Sequence, residues 1–134
     1  MTAPGEIGRW GEVAVEEYLQ GQGWQILHRR WHCRHGEIDL IARRDRTVIF
    51  VEVKTRRRHG WDAGGLLAVD QRKQGKLLQS AQLFWAEYAD ADGLDCRFDL
   101  ALVCYGKGGS GLYQLLYQGM YFVVQEYITN AFGE

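Results

Sequence analysis

Two runs rich in β-branched and aliphatic residues, Gly36-Glu37-Ile38-Asp39-Leu40-Ile41 and Thr47-Val48-Ile49-Phe50-Val51-Glu52-Val53, flank the polar stretch Arg43-Arg44-Asp45-Arg46. Such runs suit pleated, partly buried strands, and the polar stretch suits a reversal between them. They predict a hairpin. With Asp45 and Arg46 as a two-residue turn, antiparallel register sets Asp39 opposite Glu52 and Glu37 opposite Lys54. Opposed Cβ atoms would lie about 5 Å apart. Alternation then puts Asp39, Ile41, Phe50, Glu52 and Lys54 on one face and Ile38, Leu40, Val51 and Val53 on the other. The turn lacks the favoured Asn-Gly or Asp-Gly pair, and a slip of one residue would turn one strand over relative to its neighbour. The chemistry therefore depends on register.

Two carboxylates this close repel as anions unless one is protonated or a cation lies between them. Magnesium suits such a gap, because it takes hard oxygen ligands at about 2.1 Å and keeps several waters. It would polarise a phosphoryl oxygen and lower the pKa of a bound water, while Lys54 oriented that water or met the developing negative charge. The competing reading is a solvated hairpin face with ordinary ion pairs. Glu-x-Lys alone favours that reading; Asp39 opposed to Glu52 among so many Ile and Val brings the two level.

The runs Gly36 to Ala42 and Phe50-Val51-Glu52-Val53-Lys54-Thr55-Arg56 resemble the signature of the small bacterial YraN-like (UPF0102) proteins. These are similar to archaeal Holliday junction resolvases and to the restriction-endonuclease-like nuclease superfamily. The resemblance extends to Gly11-Glu12 with Ala14, to Lys73, to Phe98-Asp99 and to Asn130-Ala131-Phe132, and so spans nearly the whole chain. It implies an α/β fold with a restriction-endonuclease-like mixed central sheet flanked by helices, approximately α-β-β-β-α-β-β. It also implies that Asp39 and Glu52 are metal-binding acids, that Lys54 is the catalytic lysine, and that Glu12 is a further acid from the first helix. The implied metal is Mg2+, with Mn2+ as an alternative.

The net charge of -1 conceals a polarised chain. Residues 28–76 hold thirteen of the sixteen Lys and Arg but only six of the seventeen Asp and Glu. Arg29, Arg30, Arg34, Arg43, Arg44, Arg46, Arg56, Arg57, Arg58, Arg72, Lys73 and Lys76 thus form a basic collar in sequence around the carboxylates, suited to a phosphate backbone. The alternative is that several only keep an exposed hairpin solvated. Arg72, Lys73 and Lys76 also crowd the start of a predicted helix, the unfavourable end of its dipole for cations, which points to anion binding there with Gln71 alongside.

The remaining segments frame this centre. Ile7, Trp10, Val13, Ala14 and Tyr18 predict an amphipathic helix from Gly8 to Gln20, with Trp10 and Tyr18 in the core. Glu12 lies beside that stripe, Glu16 is a second candidate one turn on, and both also read as solvated; Gly11 would permit close packing on a sheet. Trp24 to His28 opens a strand. His59 to Gly65 reads as a loop, in which Trp61 either packs or stacks on a base. A second helix, Asp70 to Tyr88, would bury Leu77, Leu78, Ala81, Phe84, Trp85 and Tyr88, with Asp70 as its cap. Arg97 to Tyr105 reads as a core strand with Asp99 structural, Leu112 to Leu116 as its hairpin partner, and Tyr121 to Ile128 as an edge strand or short helix offering a dimer surface. No phosphate-loop or dinucleotide fingerprint occurs. Cys33, Cys96 and Cys104 are odd in number and widely spaced, and His28, His32, Cys33 and His35 fit no familiar zinc spacing.

Length and composition fit one domain over residues 1–134, and the lack of a long apolar run or a secretion-like start points away from the membrane, to the cytoplasm. The expected function is metal-dependent endonucleolytic cleavage of structured or branched DNA, with a homodimer as one assembly. The main alternative is a non-catalytic nucleic-acid-binding or processing partner that keeps a nuclease fold. A third is a protein-interaction domain using the aromatic tail.

Overall fold

The computed structural model describes residues 4–57, 70–88 and 92–132. Its elements are α1 (Pro4–Gly21), β1 (Gln25–Cys33), β2 (Gly36–Arg44), β3 (Thr47–Arg57), α2 (Gln71–Glu87), β4 (Asp95–Gly106), β5 (Tyr113–Tyr117) and β6 (Met120–Phe132). The strands form one six-stranded sheet in the order β1-β2-β3-β4-β6-β5. β3 and β4 run parallel from Thr47↔Asp95 to Arg57↔Tyr105, and every other neighbouring pair is antiparallel. A parallel pair needs a crossover, and α2 lies within it. The expected mixed sheet flanked by helices is present, with one strand more than the approximate order allowed.

β3 is central, and this explains its composition. Every residue from Val48 to Val53 is buried, as expected of a strand covered on both faces. On one face Ala14, Val15 and Leu19 of α1 pack against Leu40, Val51, Val53 and Val103. On the other, Leu77, Ala81 and Phe84 of α2 pack against Ile41, Phe50, Leu100 and Leu102. Each fully buried aliphatic side chain contributes roughly 1.5–3 kcal/mol relative to exposure. Glu52 is the one ionisable residue in the buried run of β3.

The β2–β3 hairpin has the expected register from Arg44↔Thr47 to Leu40↔Val51. Asp45, at the turn, has φ 53, a left-handed conformation that Asp tolerates better than most residues. The helices match the hydrophobic spacing, α1 beginning one turn earlier than expected and α2 closed by Asp70, whose carboxylate accepts from the Lys73 N–H at 2.8 Å. Trp10 is only half-buried and stacks on Tyr117 at 3.7 Å. Gly11 does bring helix and sheet together: a Cβ there would overlap Thr55 Oγ1.

Four expectations are corrected. Leu112 to Leu116 does not pair with β4; β5 folds back onto β6 through Gln118 and Gly119, with φ 49 and 78, the double left-handed turn that suits a two-residue hairpin. The tail is accordingly a strand, not a helix, and an edge only beyond Val124, because β6 lies between β4 and β5 as far as that residue and pairs with β4 alone after it. Leu78 is 42% exposed, since the inward stripe of α2 runs through Leu77, Ala81 and Phe84. Ile38 packs with the α2-side cluster, opposite Leu40's cluster, because alternation breaks at Asp39. Asp99 has the structural role expected: fully buried, it accepts from Arg97, from the Tyr127 hydroxyl at 2.6 Å and from the Asn130 N–H at 2.9 Å.

Candidate functional site

The break at Asp39 builds the site. The β2–β3 ladder stops at Leu40↔Val51, and the Asp39 carboxylate accepts from the Val53 N–H at 2.8 Å. A side chain thus takes up a β3 donor just beyond the last paired rung. On the other side of β2, the β1 register sets Arg30 opposite Asp39, and Arg30 has φ 50. This left-handed residue sends Arg29 and Arg30 both to the α1 side, where they pair with Glu16 and Glu12. Glu37, expected opposite Lys54, instead meets His32 Nε2 at 2.9 Å across the β1–β2 pair.

Glu52 follows Val51 on β3 and its side chain is only 4% exposed. A charge buried so far is costly unless paired. It is paired twice: Lys54 Nζ lies 3.2 Å away and Lys73 Nζ, from α2, 2.7 Å. Burial alone would raise the Glu52 pKa, but the hydrogen bond with Asp39 and the two ammonium groups hold it below its usual value. Asp39 goes the other way. Burial first, then the Glu52 charge, raises its pKa to about 9 against the opposing Val53 N–H. The two acids hold one proton, and Asp39 carries it near neutral pH. Burial, then the neighbouring Lys73, lowers the Lys54 pKa despite Glu52; burial would lower Lys73 too, but its hydrogen bond to Glu52 raises it.

Asp39, Glu52 and Lys73 line a hollow of about 200 Å³ with His35, Gly36, Glu37, Lys76, Leu77 and Ser80. Glu12 does not line it. Its carboxylate accepts from Arg30 Nε at 2.8 Å on the α1 side, in a second hollow with Arg9, Val13, Glu16, Arg29 and Leu40. Burial raises the Glu12 pKa against the Arg30 pairing, and the Glu37 and Glu52 charges add to the rise, so Glu12 remains within electrostatic reach of the pair. Asp39 and Glu52 are the oxygens best placed to share a cation. Among the described residues no three His, Cys, Asp or Glu side chains are gathered to hold a metal ion. His28 meets Phe84 edge-on, His32 pairs with Glu37 and Cys33 bonds Ser80, so these three zinc-type residues of β1 face separate partners.

The collar divides. Lys73 and Lys76 line the carboxylate hollow, Arg34 is exposed in the turn before it, and Arg72 is exposed in the first turn of α2. Arg56 and Arg57 are exposed at the end of β3, Arg57 lying 6.0 Å from the centre of the Tyr105 ring. Gln71 belongs to a different hollow, with Gln74, Leu78, Phe98 and Phe132. Arg58 and Trp61 lie outside the described residues. Sequence reasoning placed Lys73 in the collar and missed its ion pair with Glu52. It also missed that Arg30 holds Glu12. The only sequence signal for the first was the awkward cation in a helix's opening turn.

The acid pair on adjoining strands and the lysine two residues beyond the second acid lie within a stretch that matches a known family. The profile of the uncharacterised protein family UPF0102 matches residues 11–103. The chain belongs to this family. UPF0102 proteins similar to it include one from Synechococcus sp. (strain JA-3-3Ab), 44% identical over 98% of this chain and 94% of its own length. Another, from Acaryochloris marina, is 49% identical over 73% of this chain and 62% of its own length. A third, from Nostoc sp., is 44% identical over 94% and 93%. The UPF0102 match takes in α1 from Gly11 onward, both acids, Lys54, Lys73 and most of β4. Among the described residues, no helix is long and apolar enough to cross a membrane.

Proposed function

We propose that this UPF0102 chain is a metal-dependent endonuclease acting on structured or branched DNA. The observation that carries the reading is the Asp39–Glu52 pair, two partly or fully buried carboxylates that hold one proton beside Lys54 and Lys73. A divalent cation can replace that proton. The donors fit Mg2+ or Mn2+: they are the hard oxygens of Asp39 and Glu52, with Glu37 lining the same hollow but paired to His32, and the hollow is large enough for retained waters, which matches magnesium's habit of binding through one or two carboxylates. They do not form a closed cage.

Asp39 and Glu52 would hold the ion, Asp39 losing its proton and Glu52 exchanging Lys73 for the metal. When bound, the metal supplies Lewis-acid polarisation of a phosphoryl oxygen and a water acidic enough to attack phosphorus. Lys54 stands on β3 beside Glu52 to orient that water or to meet the charge that develops on phosphorus. Lys73, were Glu52 to hold the metal, would join Lys76 as a cation for the DNA backbone, with Arg34, Arg56, Arg57 and Arg72 extending the track.

Purified protein incubated with single-stranded, duplex, flapped and four-way DNA should yield product only with Mg2+ or Mn2+. Asp39→Ala and Glu52→Ala should abolish it with the fold intact by circular dichroism. Normal cleavage by both variants would sink the mechanism. A second reading has its own support: Glu52 and Glu12 are already paired with cationic side chains, as in a protein that binds nucleic acid without cutting it. That reading expects salt-sensitive DNA binding with no metal-dependent product.

A further inference from the structure

The third acid of the proposed centre points away from the other two, and a single residue accounts for it. Arg30 occupies the left-handed region with φ 50, a conformation uncommon for a residue with a long side chain. In a regular strand Arg29 and Arg30 would face opposite sides of the sheet. Here both face α1, Arg29 forked onto Glu16 with two contacts of 2.6 Å and Arg30 bonded through Nε to Glu12 at 2.8 Å. The β1 register sets Arg30 opposite Asp39, so the irregular residue of β1 lies beside the site residue of β2. Glu12 is nevertheless electrostatically coupled to Glu52. Glu12 thus feels the charge of the pair, while its bond to the Arg30 guanidinium holds its carboxylate in the hollow on the α1 side.

We propose that Arg30 is a positioning residue that withholds Glu12 from the Asp39–Glu52 pair, so that a divalent cation must compete with the Arg30 guanidinium for its third carboxylate. This rests on the metal-site reading above and adds what limits the affinity of that site. A charge-assisted guanidinium–carboxylate bond is among the stronger side-chain contacts. Surrounding groups that hold a ligand's orientation commonly change metal affinity by about 10- to 100-fold. Arg9 and Arg29 line the same hollow, so Glu12 would leave behind a cluster of guanidinium groups suited to a phosphodiester.

The test is calorimetric titration of the intact, metal-stripped chain with MnCl2, without DNA and without reference to activity. Four proteins are compared: the natural chain, Arg30→Asn, Glu12→Gln and the double variant. Asn tolerates the left-handed backbone, so Arg30→Asn keeps the local fold, and Glu12→Gln gives an independent route should it not. Arg30→Asn should tighten Mn2+ binding about tenfold, and the gain should vanish in the Glu12→Gln background. Glu12→Gln alone should change affinity little, because the withheld carboxylate contributes little to begin with. An equal gain with Gln at position 12 would mean that Arg30 acts only through its charge, and would overturn the proposal. So would an unchanged or weakened affinity in Arg30→Asn, or a large loss in Glu12→Gln alone. No Mn2+ binding by the natural chain or by any variant would overturn the metal site itself, a result distinct from all of these.

Discussion

Asp39→Asn isolates the proton in the acid pair. Burial and the Glu52 charge raise the Asp39 pKa from 3.8 to about 9 in the folded chain. Between those values the folded protein keeps a proton that the unfolded chain has released, so folding becomes less favourable as pH rises. One such proton gives a slope of at most about 1.4 kcal/mol per pH unit. From about pH 5 to about pH 8 the loss approaches ~4 kcal/mol, large against a total stability of roughly 5–15 kcal/mol. Glu52, whose folded pKa is depressed, adds stability above its ordinary 4.5 that is lost only as pH falls further, so its titration lies below this window. The carboxamide of Asn keeps an acceptor for the Val53 N–H and a donor for Glu52, but carries no titrating proton. Urea unfolding in EDTA should show the natural chain losing stability across the window relative to Asp39→Asn, the gap widening towards pH 8. Parallel pH dependences would refute the shared-proton account.

Two further outcomes follow from packing and charge. Gly11→Ala should destabilise the chain by about 1–3 kcal/mol, because its Cβ would overlap Thr55 Oγ1; an unchanged urea midpoint would show that α1 can lift off β3 at little cost. The Arg56→Ala, Arg57→Ala double variant should lower DNA affinity at every sequence and reduce the slope of log K against log salt by about 2, read from binding isotherms at several salt concentrations.

The hairpin was legible because β-branched runs and a short polar turn leave few ways to pair, and the register held from Arg44 to Leu40. Both helices were legible from apolar spacing, and Asp70 from its capping chemistry. What strand alternation could not show was the irregularity at Arg30 and Asp39. Period two assumes regular backbone; the β2–β3 pairing ends at Leu40, Ile38 lies on the other face from Leu40, and Glu37 pairs with His32 of β1 rather than Lys54. The Lys73–Glu52 contact was hidden for another reason: it joins a helix to a strand across the crossover, and only the packing of Leu77, Ala81 and Phe84 on the sheet brings it about. The β5–β6 turn did leave a trace in Gln118-Gly119, a residue followed by glycine between two pairing segments.

The closeness of Gly11 to Thr55 acts as a gauge block between helix and strand. Each is the immediate neighbour of a residue proposed for the site, Glu12 on one side and Lys54 on the other, so the spacing of Glu12 from β3 is set by the Gly11 backbone resting on the Thr55 side chain. Glu12 can change its position chiefly by turning about its own side-chain bonds. In the proposed metal site the helix would supply a fixed pivot, and the reach of one glutamate would set whether a third carboxylate arrives.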